Sequence, residues 1–318
     1  MRKEKIKYFA NLDEKDITDN KKFWQTIKPF LSEKSKSRER ITLIEKEELI
    51  SDEREVANSF NDFFSNIVKN LEIPKFDVGD AIRSNMNNHP TLKAILKYRN
   101  HPSITSIARF RNRFSAFHFS CIDKKTAVKK IRKLNNSKAS QDTDLPVKIL
   151  KENAEFFAEF ICTQFNDTIS SSKFPSSFKY ANITPVFKKD SRNNKENYRP
   201  VSILPVISKI FEKIMNDQLT SYFEKILSKF QCGFRQGFST QDCLLLMLEK
   251  WKHAVDNNKV FGALLTDLSK AFDCISHDLL IAKLNAYGLS LPALKLVHDY
   301  LKNRKQRTKN GSEYSLWE

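Results

Sequence analysis

The sequence predicts a helix-rich α+β fold. Three observations carry that reading. Only 6 of 318 residues are Gly, well below the average usage of ~7%, which disfavours a loop-rich chain. Apolar residues recur at helical spacing in several separate segments. Two short β-like stretches, 180–187 and 199–204, bracket a polar, charged loop. At ~150 residues per domain the length suggests about two structural units. The 40% apolar content with 25 Phe supplies ample core, which excludes wholesale disorder.

In chain order, residues 1–50 are polar and charged, with an aromatic knot at Phe23-Trp24 and a break at Pro29, and look like a lead-in segment. Residues 52–71 form an amphipathic helix: Asp52 and Glu55 offer a capping pair, and Val56, Phe60, Phe63, Phe64, Ile67, Val68 and Leu71 fall on one face. Residues 73–101, with Pro74, Gly79 and Pro90 and with Pro102 close by, resemble a linker. A helix over 126–134 aligns Val128, Ile131 and Leu134, and Pro146 opens a long helix to about Ile169. Pro185 would keep the 180–187 strand at a sheet edge. Pro205 opens the next helix, with Ile207, Ile210, Phe211, Ile214, Met215, Leu219 and Tyr222 inward. The run 231–239 concentrates two glycines in a special loop, and a helix follows from Thr240 to about Val255. Val260 to Leu265 reads as a buried strand, an apolar run too short for a helix, ending at Asp267.

The longest apolar runs, such as 244–248, are far short of a membrane span. The basic N-terminus has no apolar h-region, so no secretory signal is expected. Cys121, Cys162, Cys232, Cys243 and Cys274 lack paired metal-ligand spacing. They are expected to be buried free thiols in a reducing, intracellular compartment, nuclear or cytoplasmic.

The net charge of +17 is concentrated. Residues 81–141 hold fourteen Lys/Arg against one acid, Asp123, a net of +13. Tyr98, Phe110, Phe114, Phe117 and Phe119 are interleaved with them. Cations with spaced aromatics suit a phosphate-tracking surface with stacking platforms; a solvated basic face with Phe turned to a core is the plainer alternative. A second cluster, Lys302, Arg304, Lys305, Arg307 and Lys309, tilts the balance towards a polyanionic partner. Asp267, at the end of the expected strand, suits a hard divalent cation. Taken alone, it equally suits an N-cap for a helix starting near Ser269.

Three segments together resemble the reverse transcriptases of LINE-type, non-LTR retrotransposons, close to the jockey-like group. They are the run from Asn197 to Ile214 (NYRPVSILPVISKIFEKI), the run from Gln231 to Thr240 (QCGFRQGFST), and the run from Leu265 to His277 (LTDLSKAFDCISH). They stand in the family's order, and the likeness runs from about Asp123 onward. It implies three parts: a leader/linker over 1–120, a fingers-like region over 121–260, and the start of a right-hand polymerase palm, with an incomplete sheet, over 261–318. It also implies an RNA-directed DNA polymerase that takes an RNA template, a DNA primer and dNTPs, with element RNA as a ribonucleoprotein partner and no membrane.

Individual roles follow from the same resemblance. Asp267 would hold both Mg²⁺ ions of a two-metal site, with the Leu268 carbonyl completing one shell. Lys188 and Arg199, on the arms of a flexible hairpin, would grip the incoming triphosphate. Phe272 would be the aromatic gate beneath the sugar. Gly233 and Arg235 would lie near the template, and Lys129, Lys130, Arg132 and Lys133 would track nucleic acid. The family's later Gly-x-Pro-Gln-Gly block and its Tyr-x-Asp-Asp hairpin do not occur in these 318 residues, so this chain alone is expected not to polymerise. The alternative is a non-catalytic RNA- or DNA-binding relic that uses residues 81–141. A third reading has exposed Phe-rich faces and an open sheet edge bind a partner chain. A Cys274/His277 hydrolase lacks a third orienting group.

Overall fold

The computed structural model describes residues 41–67, 89–108, 115–136, 139–141, 144–268, 271–272 and 274–318. Those from Thr42 onward form one compact unit. The expected knot at Phe23-Trp24 and the charged run 109–113 lie outside the described residues, as does most of the expected 73–101 linker.

Where a lead-in was expected, a small hairpin pairs β1 (Leu43–Glu45) with β2 (Glu48–Ile50). Its two turn residues, Lys46 and Glu47, both take left-handed backbone, at φ 49° and 71°, the geometry that matches strand twist. Helix α1 (Glu53–Asn66) follows, with the Asp52 carboxylate accepting from the amides of Arg54 and Glu55. Pro90 starts a helix instead of interrupting a linker. It stands first in α2 (Pro90–Lys97), where its missing N–H costs nothing, and α3 (Pro102–Ala108) comes next. Helix α4 (Lys124–Arg132) is capped by Asp123.

The long helix expected from Pro146 is two: α5 (Val147–Glu152) and α6 (Ala154–Ser171). Asn153 sits between them at φ −108°, ψ 33°, and its side-chain amide donates to the Ile149 carbonyl at 3.1 Å. Such competition for helix carbonyls is why Asn is a poor interior helix residue.

The main sheet runs β4-β3-β5-β6. Strand β3 (Tyr180–Phe187) pairs antiparallel with β4 (Tyr198–Ile203) and parallel with β5 (Lys305–Asn310); β5 turns antiparallel into β6 (Glu313–Tyr314). The parallel pairing covers only Tyr180 to Ile183 of β3. Strand β3 is thus interior to the sheet and not at the edge expected from Pro185, which lies on the stretch beyond the β5 pairing, where its missing N–H breaks no ladder bond.

Helix α7 (Val206–Phe223) leads through the 231–239 loop to α8 (Thr240–Asp256), and α9 (His277–Ala286) and α10 (Leu291–Leu301) precede β5. The core lies among α4, α6, α7 and α10, around Ile131, Ile161, Phe165, Phe211 and Leu294. Phe211 is its hub: Phe165, Phe178 and Phe174 stand edge-on to it at 5.3, 5.2 and 6.3 Å between ring centroids, the arrangement that aromatic quadrupoles favour. Helix α8 buries no residue, and Leu244, Leu245 and Leu248 are exposed.

The expected buried strand at Val260–Leu265 is not there. Residues 259–268 are coil, and Val260, Leu264 and Leu265 are 100%, 90% and 83% exposed. A central strand needs neighbours for its backbone and cover for both faces. Among the described residues the sheet runs β4-β3-β5-β6, and β5, not this run, pairs beside β3. The thiols also differ from expectation: Cys121 and Cys243 are exposed, and Cys162, Cys232 and Cys274 are half-buried.

Two sites set stability predictions. Gly288 has φ +101°, and a Cβ there would stand 2.7 Å from the Tyr222 hydroxyl, which already donates to the Tyr287 carbonyl at 2.7 Å. Gly288→Ala should lower unfolding stability by ~1–3 kcal/mol. Gly233→Ala, with open space and no positive φ, should stay within ~0.5 kcal/mol. Urea midpoints of the two variants check this; equal effects would contradict it.

His298 joins three helices. It is buried, its Nδ1 is hydrogen-bonded to the Thr91 hydroxyl of α2 at 2.9 Å, and its Nε2 stands 3.7 Å from the Asp278 carboxylate of α9. Burial and then the Lys302 ammonium hold its pKa below the usual 6.5. The unfolded chain thus takes up this proton first as pH falls. The contribution is whole above about pH 6.5 and is lost as pH falls below it. Urea midpoints should drop between pH 7 and 5, and less steeply in His298→Gln. A residual slope comes from His89, which burial and Lys295 also hold low. Parallel slopes for the two proteins would contradict the assignment.

Candidate functional site

The β3–β4 hairpin brings two of the expected residues together. Val186 pairs with Arg199, and the Lys188 amide donates to the Asn197 carbonyl at 2.8 Å. Paired residues share a face and side chains alternate along a strand, so Lys188 and Arg199 are diagonal neighbours on one face. Both are exposed. The other face is apolar: Tyr198 is buried edge-on against Phe187 and Phe60, at 5.5 and 4.9 Å.

The loop between the arms was expected to be flexible, and it is pinned. The Lys195 ammonium pairs with the Glu45 carboxylate, and Ser59 donates to the same oxygen. Those bonds hold the Glu45 carboxyl below the usual carboxylate range. The Ile44 amide donates to the Asn193 carbonyl at 2.9 Å, and Tyr198 Oη donates to the Arg192 carbonyl at 2.7 Å. The small β1–β2 hairpin therefore braces the loop, leaving the two cations presented from a rigid ribbon.

The cations of α4 divide between two sides. Lys124, Lys125, Lys129, Arg132 and Lys133 border a surface depression of about 770 Å³, with Glu155 on its wall. Arg132 pairs with Glu155 at 3.2 Å and Lys124 with Glu159 at 3.4 Å. These pairs are largely exposed, so water and salt weaken them and a polyanion would compete for both cations. Lys130 points away, to Asp217 of α7. Burial raises the Asp217 pKa, but the bonds from Lys130 and from Lys213 outweigh it and hold the carboxyl low. Lys130 is thus a structural tie between α4 and α7.

Arg235 is likewise spent within its loop. Its Nε donates to Glu224 at 3.1 Å and its Nη1 to the carbonyls of Ser228 and Gln231 at 3.1 and 3.2 Å, while the guanidinium lies over the Phe238 ring at 4.4 Å. It shapes the loop that carries Gly233. Phe234, at φ 62°, stands out from that loop and meets Phe272 edge-on at 5.9 Å. The loop and the Asp267 block are therefore neighbours.

Asp267, Leu268 and Phe272 are exposed. Among the described residues no group of three or more His, Cys, Asp or Glu side chains gathers to hold a metal. Mg²⁺ demands near-octahedral oxygen ligation, and a pair of ions needs shared carboxylates. One carboxylate and one backbone carbonyl do not fit that requirement. Among the described residues no helix is long and apolar enough to cross a membrane.

Part of the C-terminal basic cluster is also structural. Arg304 stacks on Tyr300 and stands 3.8 Å from Glu212. Arg307 lies over the rings of Tyr314 and Trp317 at 4.0 and 4.6 Å and donates to the Asn182 side chain at 2.9 Å. The Lys195–Glu45 brace could not be foreseen from local pattern, since 150 residues separate the partners.

Residues 186–317 match the family model of reverse transcriptase (RNA-dependent DNA polymerase). A probable RNA-directed DNA polymerase from transposon BS of Drosophila melanogaster is 28% identical over 160 residues, 49% of this chain and 18% of that protein. A probable RNA-directed DNA polymerase from transposon X-element of the same fly is 29% identical over 180 residues, 55% of this chain and 19% of that one. The RNA-directed DNA polymerase from its mobile element jockey is 29% identical over 170 residues, 52% of this chain and 18% of the relative. The chain thus spans about a fifth of the length of these curated relatives. Its resemblance to reverse transcriptases of LINE-type, jockey-like elements is shown over this region.

Proposed function

We propose that this chain is the nucleotide- and template-gripping part of an RNA-directed DNA polymerase from a non-LTR, jockey-like retrotransposon. The observation that carries the reading is the exposed Lys188/Arg199 pair on one face of the hairpin, inside the segment that matches reverse transcriptases. A fixed ammonium and guanidinium side by side suit a triphosphate: Lys as a point charge, Arg as a fork. Beside them, residues 121–260 act as fingers and 261–318 as the beginning of a palm. Lys129, Arg132 and Lys133 take the phosphates of an RNA template paired with a DNA primer. Lys130 supports them through Asp217.

Gly233 and the loop shaped by Arg235 lie along the template, and Phe272 faces the sugar of the incoming nucleotide. Asp267 and Leu268 stand at the positions that the resemblance gives to the catalytic acid and the metal-shell carbonyl, and by themselves they form no reaction centre. Reverse transcriptases generally use divalent metal ions, but residues 1–318 contain no Asp-Asp pair, and a lone exposed carboxylate does not fix two ions. No chemical step is therefore assigned to this chain, which binds without polymerising. Binding without chemistry is also what the relic reading requires, and the α4 depression favours it.

Titration with a labelled RNA·DNA hybrid tests the proposal. The triple charge reversal Lys129→Glu, Arg132→Glu and Lys133→Glu should weaken affinity at least ~10-fold near 0.1 M salt. The slope of log K against log salt should shrink by ~2–3 as the phosphate contacts are lost. Asp267→Ala should bind as wild type does, and primer extension with Mg²⁺ and dNTPs should give no Asp267-dependent product. Unchanged affinity and slope in the triple variant would overturn the binding role. Template-dependent product abolished by Asp267→Ala would overturn the inactivity.

A further inference from the structure

The loop between Lys188 and Arg199 is held by a segment that lies outside the region matching reverse transcriptases, residues 186–317. Its anchors come from 42–63 and act at three loop positions. At Asn193 the carbonyl accepts from the Ile44 amide at 2.9 Å, and the side-chain amide donates to the Thr42 hydroxyl at 3.2 Å. At Lys195 the ammonium pairs with the Glu45 carboxylate, donates to Ser59 Oγ at 3.3 Å and stands 5.8 Å from the centre of the Phe63 ring. At Tyr198 the ring packs edge-on against Phe60. Lys195 also opens a tight turn, Lys195–Asn197, and the Asn197 carbonyl at its end is the acceptor for the Lys188 amide. Arg199 follows directly in β4. One turn thus carries the backbone partner of the first cation and leads into the strand of the second.

We propose that Glu45 is a positioning residue for the triphosphate grip: by pairing with Lys195 it fixes the turn that sets Lys188 and Arg199 side by side. The inference rests on the triphosphate role proposed for those two cations. Charge alone predicts the opposite effect, because a carboxylate near an anion site repels the anion and its removal would tighten binding. Positioning reverses the sign. The Lys195 and Glu45 side chains are 29% and 33% exposed, so solvent screens the pair only in part. Without Glu45 the half-buried ammonium has lost its counter-charge, and the turn is released to follow it into water. Two cations on a loose ribbon must then be ordered by the ligand itself, which lowers affinity.

Titration of the full chain with inorganic tripolyphosphate, followed by NMR at the amides of residues 186–199, tests this at the site itself. Lys188→Ala combined with Arg199→Ala should weaken binding there at least ~10-fold. Glu45→Gln should weaken it about 3–10-fold, the range expected when the ligand has to order the loop. The exchanged pair, Glu45→Lys with Lys195→Glu, should recover affinity to within ~2-fold of wild type. Gly288→Ala, which strains the chain at a remote turn, should bind as wild type does and so separates positioning from loss of stability. Affinity that is unchanged or tighter in Glu45→Gln, or that the exchange does not recover, would overturn the inference and leave the grip standing. A wild type that shows no binding at 186–199, or binding that the Lys188→Ala/Arg199→Ala change leaves intact, would instead overturn the triphosphate reading and this inference with it.

Discussion

One charge pair, with its lysine buried, organises the sheet. The Lys179 ammonium, 6% exposed, donates to the Asp299 carboxylate at 2.9 Å and to the Asp299 backbone carbonyl, and the same carboxylate accepts from the Phe174 amide at 2.8 Å. Lys179 stands immediately before β3, and Asp299 lies in the last turn of α10, six residues before β5. Tying the two together sets the register in which Tyr180 meets Lys305. Stripping a partner from a fully buried pair costs ~3–5 kcal/mol; Asp299 is over a third exposed, so solvent reduces the figure here. The pair still decides which strand lies beside β3.

With β5 docked, its polar side chains need partners, and α1 supplies them. Asn61 donates to the Leu316 carbonyl at 3.2 Å and accepts from Thr308, while Ser65 accepts from Gln306 at 3.0 Å. At the β5–β6 turn the Glu53 carboxylate accepts from the Ser312 amide, and Gly311, at φ +57°, leaves room for it: a Cβ there would stand 2.3 Å from that carboxylate. Buried polar groups satisfied in this way specify one arrangement where apolar contact would tolerate several. Helix α1 then presents Phe60 to Tyr198 and Ser59 to Glu45, and those contacts hold the hairpin loop. The exposed face with Lys188 and Arg199 is thus set by bonds that run from β5 through α1 to the β3–β4 loop.

Much of this was written locally in the chain. Asp52 and Asp123 mark helix starts through their own side chains, and Pro205 marks the start of α7. The two arms of the β3–β4 hairpin follow from short apolar runs, and the resemblance put Lys188 and Arg199 on those arms; their shared face needed the register that pairs Val186 with Arg199. What stayed hidden depends on partners remote in sequence. Strand β5, KQRTKN, is too polar to announce itself, although Asn310-Gly311 is a strong hairpin turn signal. The β1–β2 turn uses Lys46-Glu47 in backbone that Asn or Gly usually takes. Lys130 looked like one more nucleic-acid cation, and its partner Asp217 lies 87 residues away. Val260 to Leu265 misled in the opposite direction, because local apolarity reports what a segment would bury and not whether neighbours exist to bury it.

That last segment decides where Asp267 stands. The Lys179–Asp299 tie closes β3 onto β5, and the run carrying Asp267 lies outside the sheet; the proposed grip on phosphates therefore comes with no metal-holding group of side chains among the described residues. Amide hydrogen exchange of the full chain, read peptide by peptide, tests this most directly. Amides of β3 and β5 should be protected up to the global unfolding free energy, and those of 260–268 should exchange at nearly unprotected rates. Strong protection over 260–265, matching that of β3, would mean a buried strand and would contradict the account.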